Sequence, residues 1–463
     1  MGHPKNRTFH NVQLPFLGSI RLGKLPWKKP VSDERREIIV NVPVLSRVEG
    51  EGALSMRIKD GRIAELNLRI FEPPRLFEKL LEGRGIEEVP DIVARICGIC
   101  PVAYQMSASH AIESILGIDP GPWVRAMRRL FYCGEWIESH SLHIHLLAAP
   151  DFLGYKNATE LAAVFPDEVR RGLKLQGLGN DIIRFLGGRS VHPVGARIGG
   201  FYHAPSAVAA ESLLDALKAV LPEAEALVHW TAAFKLPDSE QEFECISLRH
   251  PDEYPMNEGR LVSNYGLDRD ISEFDAEFRE QQVPYSTALH CLHNGKPYLV
   301  GPLARLNLNW DRLPASVREN AEATGIHWPS LNVFHSVVAR AIEIHFAITE
   351  AIKILEAYKM PEQPFAEVKP MAGTGYGCTE APRGILWHRY EIDENGHVVS
   401  ARIVPPTSQN QARIEEDLRL SMMQVGFDMP DEALRLHAET VIRNYDPCIS
   451  CATHFLDFRV DRE

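Results

Sequence analysis

Two Cys-x-x-Cys pairs lie at opposite ends of this sequence: Cys97 and Cys100 in Arg95-Ile96-Cys97-Gly98-Ile99-Cys100, and Cys448 and Cys451 in Asp446-Pro447-Cys448-Ile449-Ser450-Cys451-Ala452-Thr453-His454. Thiolates are soft donors that hold transition metals, and little else explains two such pairs. A single metal core for all four cysteines requires folding to bring the two ends together. Structural zinc fits poorly, because zinc ribbons set their pairs about 15 to 20 residues apart rather than most of a chain apart. An iron-sulfur cluster also uses four thiolates, but both pairs sit among more reactive residues than an electron carrier needs.

The chain has 463 residues, 45% of them hydrophobic, enough for a large buried core and one or two domains. A net charge of -12 makes nucleic acid a poor candidate partner. Eight cysteines, half of them in the two close pairs, suit metal ligation in a reducing compartment better than a secreted disulfide framework, so the cytoplasm is the expected location. Residues 1–36 form an expected basic arm; up to Pro30 it carries Lys5, Arg7, Arg21, Lys24, Lys28 and Lys29 without an acidic residue or the apolar run of a signal peptide. No window reaches the roughly 18 apolar residues of a membrane span.

From residue 37 to 72 apolar and polar positions alternate, with Ile38, Val40 and Val42, then Leu54, Met56 and Ile58, then Ile63, Leu66, Leu68 and Ile70, which predicts a small antiparallel sheet. Helical periods follow over Arg75 to Leu81, Tyr104 to Leu116, Trp123 to Leu147, Asp167 to Leu186 and Ser336 to Tyr358. Later, Tyr390 to Asp393 and Val398 to Val404 flank the turn Glu394-Asn395-Gly396 and read as a hairpin. His140 and His143 lie about a helical turn apart with His145 close by; core or interface roles explain them better than a metal site.

The cysteine motifs resemble those of the large subunit of nickel-iron hydrogenases. The resemblance runs from about Val42 to His454 and takes in Arg47-Val48-Glu49-Gly50, Arg75-Leu76-Phe77-Glu78, Gly187-Gly188-Arg189 with His192-Pro193, Glu380-Ala381-Pro382-Arg383-Gly384 and Pro406-Thr407-Ser408, all in the family's order. It implies an α+β, mainly helical fold over residues 37–454 with a central helical bundle. It also implies a peptide, residues 455–463, removed after nickel insertion by an endopeptidase.

By the same resemblance, Cys97 and Cys448 are terminal nickel ligands, and Cys100 and Cys451 bridge nickel to an iron carrying carbon monoxide and cyanide, which maturation proteins must supply. Hydrogen is split heterolytically, with Cys448 the first proton acceptor. Glu49 is the next carrier, since a partly buried carboxyl can pass a proton onward near neutral pH. Arg383 stands over the metal pair, Asp446 orients it, and Thr407, read as a loop residue, bonds a cyanide. Glu78, His454 and a backbone carbonyl near Ile403 match the ligands of a second, hard metal, usually magnesium. Tyr104 and Ser139 stand where many members carry a histidine and an aspartate, as in the cytoplasmic bidirectional branch with its NADP-linked sulfhydrogenases.

Cys133, Cys245, Cys291 and Cys378 are scattered singly and show no cluster spacing. The resemblance therefore points to partners for electron transfer: an iron-sulfur small subunit and subunits binding FAD and NAD(P). No Gly-x-Gly-x-x-Gly follows a strand here, in keeping with a nucleotide site on a partner. NAD- or deazaflavin-linked hydrogenases and a hydrogen-sensing subunit share these motifs.

Overall fold

The computed structural model describes residues 37–453. The expected arm at 1–36, His454 and the peptide 455–463 lie outside the described residues. Strands β1 (Glu37–Val42), β2 (Gly52–Lys59) and β3 (Arg62–Ile70) form the expected antiparallel sheet in that order. Their period of two buries Ile38, Val40 and Val42 beside Leu54, Met56 and Ile58. Asp60 and Gly61, with φ of 53° and 70°, make the tight β2–β3 turn, in which both central residues take positive φ. The connection between β1 and β2 carries Glu49.

The helical centre is built from α1 (Pro101–Leu116), α2 (Gly121–Leu142), α3 (Pro166–Gly187), α4 (Ala207–Ala232) and α5 (Ser336–Glu356). α2 packs on α3 and α5, and α4 closes the group against both. Gly134 and Gly179 let α2 and α3 touch backbone to backbone: a Cβ on Gly179 would lie 2.5 Å from the Glu138 nitrogen. Helices α1, α2 and α3 start up to three residues before the apolar period does, each with a proline in its first two positions, where the missing N–H costs no bond. The period through Leu147 is carried past Leu142 by a π-helical turn, His143–Ala148. In Arg75 to Leu81 only Phe77–Leu81 is helical, because Leu76 takes φ 56° at its start.

A second antiparallel sheet, β4 (Gly373–Ala381), β5 (Gly384–Ile392) and β6 (Val398–Val404), lies against α1. The expected hairpin is the β5–β6 end of it, turned by Gly396 at φ 82°. Helices α6 (Pro406–Val425) and α7 (Asp431–Asn444) then run beside the N-terminal sheet, returning the chain to the first cysteine pair. Thr407, expected in a loop, occupies the first turn of α6, again one residue after a proline.

Candidate metal centre

Each cysteine pair is fixed by the element next to it. Cys100 immediately precedes α1, whose exposed N–H groups need acceptors, and the buried Glu135 of α2 takes them: its carboxylate accepts from Val102 N at 2.6 Å and Ala103 N at 3.1 Å. Cys97 Sγ accepts the N–H groups of Ile99 at 3.3 Å and Cys100 at 3.1 Å, so the loop is wrapped around its sulfur. At the other end Asp446, at φ 55°, turns the chain out of α7, and a 3-10 turn, Ile449–Ala452, holds Cys451. Arg75 joins the two loops by donating from Nη2 to Ile96 O at 2.7 Å and to Ser450 O, while its own N–H reaches Thr453 O at 2.8 Å.

The four buried sulfurs lie within 4.8 Å of one another. Cys97 to Cys448 and Cys100 to Cys451 are each 3.5 Å apart, and Cys448 to Cys451 is 2.8 Å, all longer than the ~2.05 Å of a disulfide bond. Among themselves these thiols cannot all ionise. Burial opposes the Cys97 thiolate, yet hydrogen bonds from the other three thiols and the Arg383 charge carry its pKa well below the usual range. Burial raises Cys100 and Cys451, whereas Cys448 is raised first by its bond with Cys100. Four thiolates in so small a volume need added positive charge, which a soft metal supplies.

Other candidate residues converge on the same point. The Glu49 segment lies along Cys448 and Ile449, with Ile449 N donating to Glu49 O at 3.0 Å. Gly50 permits that approach, since a Cβ there would meet Ile449 Cβ at 2.7 Å and its φ is 88°. Glu49 Oε2 accepts the Cys448 thiol at 3.1 Å and Ser450 N at 3.0 Å. Outward from it, Ser450 Oγ donates to Glu72 Oε2 at 3.0 Å. Thr407 Oγ1 accepts Cys448 N at 3.1 Å, leaving its own O–H to point elsewhere.

Arg383 Nε donates to Asp446 O at 2.6 Å, and Nη2 to Asp446 Oδ1 at 3.1 Å. Its charge is stabilised further by the Cys448, Cys100 and Cys97 sulfurs, which together with Asp446 outweigh burial and raise its pKa. Buried Arg383 Nη1 and the Tyr104 hydroxyl have no hydrogen-bond partner among the described residues. A cluster of thiolates bordered by donors with spare N–H and O–H capacity fits a metal bearing small anionic ligands.

At the second expected metal position, Glu78 Oε1 accepts Ile403 N at 2.7 Å, which brings the two residues together. Burial pushes the Glu78 carboxyl up to about 7, against the pull of that bond and of Arg402 and Arg389. His454, the third expected residue, lies outside the described residues. The three neighbouring histidines face different partners: His140 Nε2 meets Glu343 Oε2 at 2.9 Å, His143 Nε2 meets Arg443 O at 2.8 Å, and His145 Nδ1 meets Ser141 O at 2.9 Å.

Glu135, Glu72 and the bridging role of Arg75 were not read from the sequence. The one available signal was Glu135 itself, a carboxylate set in the apolar run Phe131-Tyr132-Cys133-Gly134-Glu135-Trp136-Ile137.

Centre and fold together define a large subunit built around a buried four-thiolate metal site. Residues 75–169 and 250–454 match the nickel-dependent hydrogenase family, and the chain belongs to it as a catalytic large subunit. It is 35% identical to sulfhydrogenase 1 subunit alpha of Pyrococcus furiosus over 90% of this chain and 97% of that one. With the NAD-reducing hydrogenase HoxS subunit beta of Cupriavidus necator it shares 27% identity over 91% of this chain and 95% of that one. A crystal structure of an NAD+-reducing [NiFe]-hydrogenase in the H2-reduced state superposes with a TM-score of 0.81 at 27% identity, covering 90% of this chain and 99% of that one. Among the described residues no helix is long and apolar enough to cross a membrane.

Proposed function

We propose that this chain catalyses reversible heterolytic cleavage of H2 at a nickel-iron centre held by Cys97, Cys100, Cys448 and Cys451, and passes the electrons through partner subunits to NADP. The observation that carries the reading is the convergence of four buried sulfurs, with Glu49 bonded to Cys448 and the Arg383 charge close enough to interact with Cys448, Cys100 and Cys97. The bound pair, with carbon monoxide and cyanide on its iron, supplies the two-electron chemistry. Cys97, Cys100, Cys448 and Cys451 would hold the pair through their sulfurs, with Cys97 and Cys448 as ligands to nickel and Cys100 and Cys451 shared with the iron.

Cys448 Sγ takes the proton and hands it to Glu49 Oε2, already within hydrogen-bond distance at 3.1 Å. From Glu49 it moves toward Ser450 and Glu72, which extend the polar line away from the cluster. Arg383, fixed by Asp446, holds a positive charge over the thiolates in a water-poor pocket, where such a charge acts strongly. Its spare Nη1 donor and the Thr407 hydroxyl would be the donors to the cyanides. Glu78, the Ile403 carbonyl and His454 would hold magnesium or iron.

Coupling to NADP is supported by the higher identity to the sulfhydrogenase subunit, 35% against 27% for the NAD-reducing one, and by Tyr104 and Ser139. An iron-sulfur small subunit and flavin- and NAD(P)-binding subunits complete the enzyme in the cytoplasm, with residues 455–463 removed after the maturation proteins have loaded the metals. Infrared spectra of the complex with its native partners test the centre: carbon monoxide and cyanide bands that shift under hydrogen are expected, and their absence from matured protein refutes it. Hydrogen-driven reduction of NADP faster than of NAD is expected, and the reverse order refutes the NADP assignment. Mass spectrometry of active enzyme is expected to show the chain ending at His454.

A further inference from the structure

Arg305 lies outside the cysteine centre and outside every motif noted in the sequence, in the short helix Pro302–Asn309. Its side chain is fully buried, and its five N–H donors are all used. Nε and Nη2 grip Glu343 at 2.8 Å each, and Nη1 reaches Glu380 Oε2 at 2.9 Å. The remaining two bonds go to main chain: Nη1 to Ala381 O at 2.7 Å and Nη2 to Pro382 O at 2.9 Å. The preceding carbonyl, Glu380 O, is taken by Trp136 Nε1 at 3.0 Å, and the Trp136 ring lies under the Arg305 guanidinium, 4.4 Å from centroid to carbon. Three successive carbonyls leading into Arg383 are therefore clamped. Arg383 O itself is backed by Gly301, where a Cβ would come within 2.8 Å.

We infer that Arg305 is a positioning residue for Arg383, fixing the backbone from which that guanidinium reaches the sulfur cluster. The inference rests on the role proposed for Arg383. Asp446 sets the tip of the Arg383 side chain and Arg305 sets its root. A purely electrostatic role for Arg305 does not need bonds to two uncharged carbonyls, which a lysine cannot reproduce in a planar fork. Glu343 serves in turn to hold Arg305, and its further bonds from His140 at 2.9 Å and Tyr254 at 2.7 Å keep its carboxylate in place.

The test uses the complete enzyme complex carrying Arg305→Lys, with Trp136→Phe as a second variant that keeps an aromatic ring beside Arg305 but removes one carbonyl clamp. Nickel and iron content, infrared cyanide frequencies and hydrogen/deuterium exchange are measured on each. For R305K the expected result is full metal content, cyanide bands displaced in the same direction as in Arg383→Lys, and exchange slowed on the order of 100-fold, the scale of a small misplacement of a reacting group. W136F is expected to move the bands the same way by less. Metal-loaded R305K with bands and exchange at wild-type values overturns the inference; if R305K does not assemble, unmoved bands in W136F overturn it. A wild-type complex without diatomic bands defeats the nickel-iron reading instead, so the two failures are told apart.

Discussion

At the scale of single residues, the site separates into groups that touch the cluster and groups that hold those groups. Glu49 belongs to the first kind, bonded to the Cys448 thiol at 3.1 Å. Glu49→Gln keeps the shape and the bond from Ser450 N but cannot carry a proton. Hydrogen/deuterium exchange is expected to fall by about 10²- to 10⁴-fold, the usual worth of a general acid or base, with nickel and iron retained on metal analysis. Near-normal exchange refutes the relay. The cysteines, Glu49 and Arg383 were legible because their chemistry and spacing are written in short motifs. The bridging of Arg75 and the roles of Glu135 and Arg305 were not, because their partners, main-chain N–H and C=O groups and for Arg305 also the Glu343 and Glu380 carboxylates, come from distant segments, and no spacing in the sequence marks such a partner.

At the scale of elements, an apolar period was not always enough to mark a helix: α4 and α7 bury residues three and four apart yet were not read as helices. Helix α4 carries Pro222 in its interior, which reads as a break although the helix runs through it. Strand β4 was missed for a related reason: where apolar side chains would mark a buried face, it has Gly373, Gly375 and Gly377. A Cβ on Gly377 would lie 2.0 Å from Ser107 O of α1, so the small residues are what allow helix and sheet to meet. Gly377→Ala is expected to lower stability by about 1 to 3 kcal/mol through overpacking, read as a drop in Tm; an unchanged Tm contradicts the close contact.

The end of α2 and its π-helical turn carry His140, His143 and His145, which burial first of all holds at pKa values of about 4, about 3 and about 4. Their folded pKa values lie below the unfolded value of 6.5, so the unfolded chain binds more protons between the two. Stability is therefore fully present above pH 6.5 and is lost as pH falls toward 4. The contribution is at most on the order of 3 kcal/mol for His140 and His145 and on the order of 5 kcal/mol for His143. His145→Gln is expected to flatten the fall in unfolding free energy between pH 6.5 and 4 by about one proton's worth of slope, measured by denaturant titration at several pH values. An identical slope in the variant argues against a neutral His145.

At the scale of the whole molecule, remote segments are joined by buried charge. Asp151 receives Arg443 Nε of α7 at 2.7 Å and Nη2 at 3.0 Å, and it also pairs with Arg47 in the connection before Glu49. Arg47 in turn donates to Leu147 O at 2.6 Å, in the π-helical turn. Asp151→Asn removes the carboxylate that Arg47 and Arg443 share. The expected cost is about 3 to 5 kcal/mol, seen as a lower denaturation midpoint. A variant of unchanged stability shows that the arginines find other partners.

The wide separation of the metal ligands also reaches back to synthesis. Cys448 is made 351 residues after Cys97, an interval of roughly 20 to 70 s at ordinary elongation rates. During that time the first pair exists without the second, and no nascent chain can present the complete set of sulfurs. A ribosome that stops early leaves a product with half a binding site, two soft donors in place of four and so a weaker hold on the metal.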